Sequence, residues 1–447
     1  MRTRSSMTPA SGGDPCAKRR KMDHQHEFQR TSGKSSLPKI QRALLLHGVR
    51  QPYVTSRDTK VPGVHHDYEL LVKVNAAGLN PIDWKAPDYN FGIPTLPYIS
   101  GRELVGTVIK ASKSSNSRIH EGDIVIIPST DYRDLRKAAF QEYSIASAFN
   151  TIRLPTHISI NSGSILGVAF VSAVLSLGIC MGVSFEDVEN GPDLLNIVKN
   201  IDPERLPVDI RQECLDSIER SERAKSGDWL VIWGGSSTCA YVAKQLARLV
   251  GLKIISVVDG AKHGLRLSST PSIRPDLVVD SHNPTRAVEI IKAATNDGAR
   301  FGLDTVGKET AGHLLTSLSF SPSSEPLLAK DENGNAKRKD SKLLSPPATP
   351  LEITSGARRS HLVGLTGLPK TGIPGGVVPH NVPIKLYHEI PEVGEALSAW
   401  CERLLVQGLL VPPEVVGTVN GLEGINEGLD RMRRNEIRGG RLVAILP

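Results

Sequence analysis

A Gly–Ser-rich stretch near the middle of the chain has residue types suited to hold a phosphate group. In GDWLVIWGGSSTCAYVAKQLARLVGLKIISVV (227–258), an apolar run leads into two glycines, three hydroxyl residues, a helical pattern and a second apolar run. Glycines allow a tight turn with close backbone approach, and a helix N-terminus offers free N–H groups and a positive dipole end. The candidate cofactor-binding residues of this turn are Gly234, Gly235, Ser236, Ser237 and Thr238.

The glycine spacing of this stretch departs from the G-x-G-x-x-G pattern of dinucleotide sites. Cys239 and Ala240 stand where later glycines are expected. Both are small enough to keep a helix close to a strand. A Gly-rich turn alone is weak evidence, so an ordinary strand–turn–helix corner without a ligand remains the alternative at this point.

The residues after the second apolar run bear on the choice of cofactor. Asp259 could accept hydrogen bonds from a free ribose 2′-hydroxyl, which favours NAD. Lys262 and His263 could pair with a 2′-phosphate, which favours NADP. The residue types leave this choice open, and all three side chains could also be solvated loop residues.

Length and composition indicate a globular protein with more than one domain. The 447 residues exceed the size of an ordinary single core, and 39% hydrophobic with 23% charged residues is typical of globular chains. The net charge of +7 is concentrated, because residues 1–37 hold eight basic and three acidic side chains, which leaves +2 for the rest. A basic body that binds nucleic acid is therefore not expected.

Cysteine usage and hydropathy favour the cytoplasm. The five cysteines are scattered without a C-x-x-C pair, which argues against a disulfide framework and a structural zinc site. We find no apolar stretch that approaches the ~20 residues of a membrane-spanning helix, and no apolar segment follows the N-terminal charges. We expect a cytoplasmic protein that binds neither membrane nor nucleic acid.

Changes of pattern divide the chain into four parts. Residues 1–38 are predicted to be a disordered tail. Short strand-like runs between turns predict a mostly antiparallel β domain over residues 39–160. Residues 161–395 alternate strands and helices, which predicts a parallel sheet, with insertions at 185–224 and 321–359. Residues 396–447 end in a strand–helix–strand pattern.

Several motifs, in their order and spacing, resemble those of one enzyme superfamily. They are NAAGLNPIDWK (75–85), GRELVGTV (101–108), HEGDIVI (120–126), AAFQEYSI (138–145), GDWLVIWGGSST (227–238) and FGLDTVG (301–307). The chain resembles the medium-chain dehydrogenase/reductase superfamily, in its zinc-independent quinone-reductase and enoyl-reductase branch. It is most similar to fungal trans-acting enoyl reductases of the lovastatin type and to ToxD-like oxidoreductases.

The resemblance implies an α/β fold class, with a Rossmann doubly wound parallel sheet and a GroES-like β-barrel domain that residues 396–447 rejoin. It implies NADPH-dependent reduction of a C=C conjugated with a carbonyl, in secondary metabolism, and NADH is not excluded. The substrate would be a small molecule or a carrier-bound acyl group, with a polyketide synthase as partner and a monomer or homodimer as the functional form. In this branch a Gly-Gly-Ser-Ser turn followed by small residues is a usual phosphate cradle.

Candidate catalytic residues follow from the same resemblance. Lys85 ends NPIDWK, where similar enoyl reductases carry a lysine near the nicotinamide. It could steady an enolate oxygen or donate a proton, or it could be an exposed loop lysine. Asp83 is a second candidate, with capping of the loop as its alternative role. Residues that end sheet strands are candidates for the wall around the nicotinamide: Thr305, Val306, Gly364 and Leu365.

No metal is expected at the site. Arg102 stands where zinc alcohol dehydrogenases carry the metal-binding His of a G-H-E motif, and no Cys lies near residues 80–83. A cation needs several converging N, O or S ligands, and the sequence offers no such set. Two further functions stay open, which are quinone or carbonyl reduction on the same scaffold and a catalytically silent binding protein.

Overall fold

The computed structural model describes residues 37–114, 117–129, 131–319 and 359–447. Residues 1–36 of the predicted tail and residues 321–358 of the second predicted insertion lie outside these ranges.

The first part of the chain forms two antiparallel sheets. Its elements are β1 (Ile40–Leu46), β2 (Val54–Lys60), β3 (Glu69–Gly78), α1 (Pro81–Tyr89), β4 (Tyr98–Ile99), β5 (Glu103–Lys110), β6 (Ile124–Pro128), β7 (Tyr143–Ser147) and β8 (Ile152–Arg153). β1 pairs with β2 and β4 in a small sheet, while β3 pairs with β5 and β7 in a larger one. The antiparallel domain predicted from short runs between turns is confirmed.

A helical segment follows β8. It comprises α2 (Ile160–Gly163), α3 (Gly167–Leu175) and a π-helical turn, Ser176–Cys180. The first of these helices, α2, begins at Ile160, directly after Ser159. Ser159 is therefore the cap, and its hydroxyl accepts a hydrogen bond from the backbone N–H of Ser162 at 3.1 Å.

The length of this segment corrects one expectation from the sequence. Ile160–Cys180 has 21 residues and a mean hydropathy of 2.1, so by length and composition it could cross a membrane. Our statement that no stretch approaches that length is wrong, because the helix continues through the glycines and serines that divide the apolar run. In the structure, 89% of its most apolar window is buried inside the protein, as in the core helix of a globular domain.

Residues 185–224, predicted to be an insertion, contain two helices. They are α4 (Leu194–Lys199) and α5 (Val208–Asp216). Leu194 and Val198 of α4 and Ile210 of α5 are buried in the same hydrophobic core as α3. This segment therefore contributes to the core, although its sequence is polar and mixed in charge.

A third sheet is entirely parallel. Its strands and the helices between them are β9 (Trp229–Trp233), α6 (Thr238–Leu249), β10 (Lys253–Val258), α7 (Gly260–Ser269), β11 (Leu277–Asp280), α8 (Pro284–Thr295), β12 (Phe301–Asp304), α9 (Lys308–Leu318), β13 (Ser360–Gly364) and β14 (Val377–Asn381). The strand order is β11-β10-β9-β12-β13-β14. This is the strand order of the dinucleotide-binding fold. The chain adds β10 and β11 on one side of β9 and then crosses back to add β12, β13 and β14 on the other side, so the order of the strands reverses between β9 and β12.

Both faces of the parallel sheet are covered. In β9, Leu230 and Ile232 belong to one hydrophobic core, whereas Val231 and Trp233 belong to the core on the opposite face. Burial on both faces explains why this strand is continuously apolar rather than alternating. The predicted α/β class with a doubly wound parallel sheet is confirmed.

The end of the chain returns to the first domain. Its elements are α10 (Lys385–Glu389), α11 (Pro391–Val406), β15 (Val415–Asn420), α12 (Ile425–Arg433) and β16 (Arg441–Ile445). β16 pairs antiparallel with β3, where Ala444 lies opposite Ala77. The first and last segments of the chain therefore share one sheet.

Candidate active site

Two glycines shape the turn between β9 and α6. Gly234 has a φ of +78°, and a Cβ added there would lie 2.3 Å from Thr305 Oγ1. A Cβ on Gly235 would lie 2.9 Å from the Cβ and Oγ of Ser256. Any side chain would collide at both positions, so the turn requires glycine twice. The result is a bare backbone at the carboxyl end of β9, which fits the close approach of a phosphate.

The three hydroxyl residues of this turn have different partners. Ser237 caps α6, since its Oγ accepts a hydrogen bond from the Ala240 N–H at 3.1 Å. Thr238 Oγ1 accepts hydrogen bonds from Arg441 Nε at 2.9 Å and Nη2 at 2.6 Å. Ser236 makes no hydrogen bond to any other described residue. Of the three hydroxyls predicted to bind cofactor, Ser236 is thus the one free to do so without breaking a contact.

A buried lysine lies directly under the turn. Lys244, on α6, is fully buried and its Nζ donates a hydrogen bond to the Gly235 carbonyl oxygen at 2.7 Å. Burial, and to a lesser degree the charge of Arg266, lowers the pKa of Lys244 to about 7. Lys244 also lines a recess together with Ser236 and His263. The sequence analysis missed this residue, because a lysine inside an amphipathic helix ordinarily faces solvent.

Thr305, which follows β12, contacts the glycine turn, and Leu365, which follows β13, contacts the end of β12. Thr305 Oγ1 donates a hydrogen bond to the Gly234 carbonyl at 3.0 Å, and the Leu365 N–H donates one to the Asp304 carbonyl at 2.9 Å. Val306 is 50% exposed, and Thr305 and Leu365 are half-buried. Gly364 is buried at the end of β13, so the other three are the members of this group with exposed surface.

The residues after β10 are already paired with one another. Asp259 caps α7, because its Oδ1 accepts a hydrogen bond from the Lys262 N–H at 3.1 Å, and its other oxygen forms an ion pair with Lys262 Nζ. Its side chain is only 17% exposed. His263 is half-buried, and burial lowers its pKa. The Asp259 carboxylate also lies 3.6 Å from His282 Nε2.

On the β domain, Asp83 holds the start of α1 in place. It is 1% exposed, and its two oxygens accept hydrogen bonds from the Asn80 N–H at 2.7 Å and the Ser100 hydroxyl at 3.2 Å. Burial raises the pKa of Asp83 to about 6. These contacts fit its alternative role as a cap. Lys85 lies two residues further along α1, half-buried, with its Nζ 5.6 Å from the centre of the Trp84 ring.

One arginine joins the two domains at this site. Arg441, the first residue of β16, bonds to Thr238 at the start of α6 and to Asn80 at the start of α1. Asn80 also donates a hydrogen bond to the Glu103 carboxylate at 2.9 Å. Glu103 is fully buried and accepts a second hydrogen bond from the Val168 N–H at 2.9 Å. The charge of Arg441 stabilises this buried carboxylate, whose pKa is raised by burial.

We expect Arg441→Met to lower the free energy of unfolding by about 3 kcal/mol, because it leaves Glu103 buried without its cation. Glu103 keeps its two hydrogen-bond donors, so the loss should lie at the low end for a broken buried charge pair. Urea unfolding would measure it. Arg438→Met removes an exposed arginine from the same segment and should change stability by no more than about 0.5 kcal/mol. Equal losses of unfolding free energy in Arg441→Met and Arg438→Met would show that Arg441 does not stabilise the buried Glu103 carboxylate.

Side chains that could hold a metal lie away from the position of Arg102. Arg102, where a zinc ligand would stand, is buried with its guanidinium 5.4 Å from the Tyr132 ring centre. Among the described residues, Cys180, Glu213 and His380 lie close enough together to hold an ion. The sequence did not indicate this group, because its members come from three distant segments. None of them belongs to the turn or to α1.

Known proteins share both the fold and the sequence pattern. Residues 66–156 match the alcohol dehydrogenase GroES-like domain. The chain is 25% identical over 419 residues to trans-enoyl reductase caaB of Aspergillus niger. The aligned residues make up 91% of this chain and 97% of that protein.

Solved structures give the same fold at lower sequence identity. A quinone oxidoreductase of Pseudomonas syringae has a TM-score of 0.60 at 14% identity, covering 91% of this chain and 99% of the other. A mycobacterial protein complexed with NADPH has a TM-score of 0.61 at 16% identity, with the same coverage. The chain is therefore similar in sequence to fungal trans-enoyl reductases and shares the fold of oxidoreductases of the medium-chain dehydrogenase/reductase superfamily.

Proposed function

We propose that this protein uses NADPH to reduce a C=C conjugated with a carbonyl, in an enoyl thioester or a similar acyl substrate. The observation that carries the proposal is the double contact of Arg441. One guanidinium bonds to the first residue of α6, which follows the glycine turn, and to Asn80, which precedes α1. This contact holds the helix that carries Lys85 beside the helix that would face the cofactor. The relative caaB is named a trans-enoyl reductase, which supports the same reaction class.

The residues present fit a nicotinamide cofactor. A Cβ on Gly234 or Gly235 would collide with neighbouring side chains, so the turn presents bare backbone to a diphosphate. Beside Gly235, the buried Ser256 Oγ has no hydrogen-bond partner among the described residues. The N-terminus of α6 adds the positive end of a helix dipole. When bound, the nicotinamide supplies the hydride.

The remaining chemistry falls to side chains of this protein. Reduction of a conjugated C=C places negative charge on the carbonyl oxygen of the substrate. The Lys85 ammonium would donate a hydrogen bond to that oxygen and provide the proton that completes the reduction. Val306 and Leu365 would bound the site with apolar surface, which excludes water from the charge that develops.

We infer NADPH rather than NADH from the contacts of Asp259. Its carboxylate already caps α7 and pairs with Lys262. A free ribose 2′-hydroxyl would share the Asp259 oxygens with these donors, and the paired Lys262 already neutralises the carboxylate that would attract it. A 2′-phosphate could instead take the ammonium of Lys262 and the imidazole of His263, which lie on the first turns of α7.

The proposal predicts that the full-length protein oxidises NADPH when an α,β-unsaturated acyl thioester is present, and does so faster than with NADH. Loss of nicotinamide absorbance measures the rate, and a saturated thioester is the control substrate. NADPH alone should raise the melting temperature. Oxidation with quinones but not thioesters would place the protein among quinone reductases. Absence of both turnover and a melting shift at millimolar NADPH would overturn the proposal.

A matched variant separates the two cofactors. Lys262→Ala should weaken NADPH binding about tenfold, since it removes one charge-assisted contact to the 2′-phosphate. NADH binding should not change. Lys253→Ala, on the strand before α7, removes another exposed lysine and should leave both affinities as they are.

A further inference from the structure

Cys180, Glu213 and His380 converge outside the cofactor site. Cys180 ends the π-helical turn after α3, Glu213 lies on α5, and His380 lies on the edge strand β14. One ligand atom from each of them, a sulfur, an oxygen and a nitrogen, lies within 4.8 Å of the other two. Cys180 and His380 are buried, while Glu213 has 20% of its side chain exposed and so gives access from solvent. π-Helical turns occur often at functional positions.

A second histidine extends this cluster. His380 Nδ1 lies 2.7 Å from Glu213 Oε1, and His380 Nε2 lies 2.9 Å from Nδ1 of His361, which is fully buried. His361 Nε2 is the next atom in the chain of contacts, and it has no hydrogen-bond partner among the described residues. Its nearest carboxylate oxygen is Glu222 Oε2, at 3.6 Å.

One assignment of the two histidine protons leaves a buried nitrogen atom without a hydrogen-bond donor. If His380 Nδ1 carries the proton and donates to Glu213, then His380 Nε2 must accept from His361 Nδ1. His361 Nε2 is then a bare lone pair in a buried position, facing the Glu222 carboxylate. Such an unsatisfied buried acceptor is costly.

The opposite pair of tautomers leaves a nitrogen lone pair of His380 available to a cation. His361 Nε2–H then points to Glu222, and His380 Nε2–H donates to His361 Nδ1. His380 Nδ1 is left as a lone pair directed at Glu213 and Cys180. Two acceptors at 2.7 Å repel each other unless a positive ion lies between them. A metal-bound histidine usually donates its other N–H to a hydrogen-bond acceptor in this way.

We propose that Cys180, Glu213 and His380 bind one divalent transition-metal ion, with Zn²⁺ as the best match, and that His361 and Glu222 position His380. Sulfur, nitrogen and carboxylate ligands together are typical of zinc, and three protein ligands leave a fourth position for water. Bond lengths of about 2.0–2.3 Å place tetrahedral ligands about 3.3–3.6 Å apart. Binding therefore needs the Glu213–His380 pair to open slightly and Cys180 to approach.

The charges also favour a divalent ion. A thiolate and a carboxylate carry two negative charges, which one Zn²⁺ neutralises inside a largely buried site. The thiol proton leaves to solvent through the exposed side of Glu213. The segment that supplies Glu213, residues 185–224, is thus joined to the edge of the parallel sheet by the ion. The expected consequence is structural, since no residue of the glycine turn takes part.

The test uses the full chain after treatment with a chelator. We expect one equivalent of Zn²⁺ to bind in a competition titration with a chromogenic indicator, and Co²⁺ to give a thiolate-to-metal charge-transfer band. Zn²⁺ should also raise the melting temperature. Cys180→Ala and His380→Ala should remove the charge-transfer band and the melting shift, and His361→Phe should weaken Zn²⁺ affinity about 10- to 100-fold.

Cys214→Ala is the matched control, since Cys214 is a buried thiol next to Glu213 in sequence. This variant should keep both the band and the melting shift. Circular dichroism and the NADPH-induced melting shift report whether each variant is folded. A folded wild-type protein without a thiolate band, or a band that persists in Cys180→Ala and disappears in Cys214→Ala, would overturn the proposal. Neither outcome would affect the proposed reductase activity.

Discussion

Lys244→Met should be more stable than the wild-type protein at low pH, and this advantage should shrink as the pH rises. The folded protein holds the pKa of Lys244 at about 7, against 10.5 for an ordinary lysine. Below pH 7 the charged ammonium is buried at a cost of about 4–5 kcal/mol, taking 1.36 kcal/mol for each pKa unit. The cost disappears as the pH rises from the folded pKa to the unfolded one, because the folded protein then binds fewer protons.

The measurement is urea unfolding of both proteins at pH 6 and pH 9. The difference between their free energies of unfolding should change by about 3 kcal/mol over this interval, in favour of the wild type at the higher pH. The lost hydrogen bond to Gly235 offsets the variant's advantage by about 1 kcal/mol. Lys253→Met removes an exposed lysine and should leave the pH dependence unchanged. If the free energies of unfolding of the wild type and Lys244→Met changed equally with pH, Lys244 would not be buried with a lowered pKa.

A phosphate group bound at the glycine turn would explain why the charged Lys244 side chain is buried at a cost in free energy. The lysine lies under the Gly235 carbonyl, without a carboxylate within ion-pair distance in the described chain. A diphosphate on the glycine turn would supply the missing negative charge. On the proposed function, the protein thus keeps a poorly stabilised cation at the place where the diphosphate would bind, and the ligand would stabilise it.

Local features of the site could be read from the sequence. Gly234 and Gly235 follow an apolar strand, and both collide with neighbours if a Cβ is added. Thr305 and Leu365 end strands whose apolar runs are bounded by turn residues. These positions were predictable because the chemistry and the strand end lie within a few residues of each other, and the carboxyl ends of parallel strands meet at one edge.

Long-range contacts could not be read in the same way. Arg441 and Thr238 are 203 positions apart in the sequence, and nothing in GGRLVAILP points to α6. Lys244 occupies a position that periodicity assigns to a helix, but periodicity alone does not show that α6 is covered all round. Asp259 looked like a free ribose acceptor until its contact with Lys262 was known. Each of these depends on which surfaces meet, and a single sequence does not determine that.

Lys85→Gln should lower kcat for enoyl reduction by about 10²- to 10⁴-fold, the usual contribution of a positioned proton donor. Glutamine keeps a hydrogen-bond donor of similar reach but cannot supply a proton or a full positive charge. The KM for NADPH should stay within about threefold, because Lys85 lies on α1 and not at the glycine turn. Steady-state rates with an unsaturated thioester would measure both parameters.

The position of Lys85 makes this outcome specific. Asn80, which precedes its helix, is held by Arg441, and Asp83 of the same helix is held by Asn80 and Ser100. The backbone around Lys85 is thus fixed by buried contacts, while its ammonium group bonds to none of the described carboxylates. Lys110→Gln, at the exposed end of β5, should leave kcat unchanged. A normal kcat in folded Lys85→Gln would assign the proton to another group, and Asp83, with its pKa raised to about 6, would be tested next.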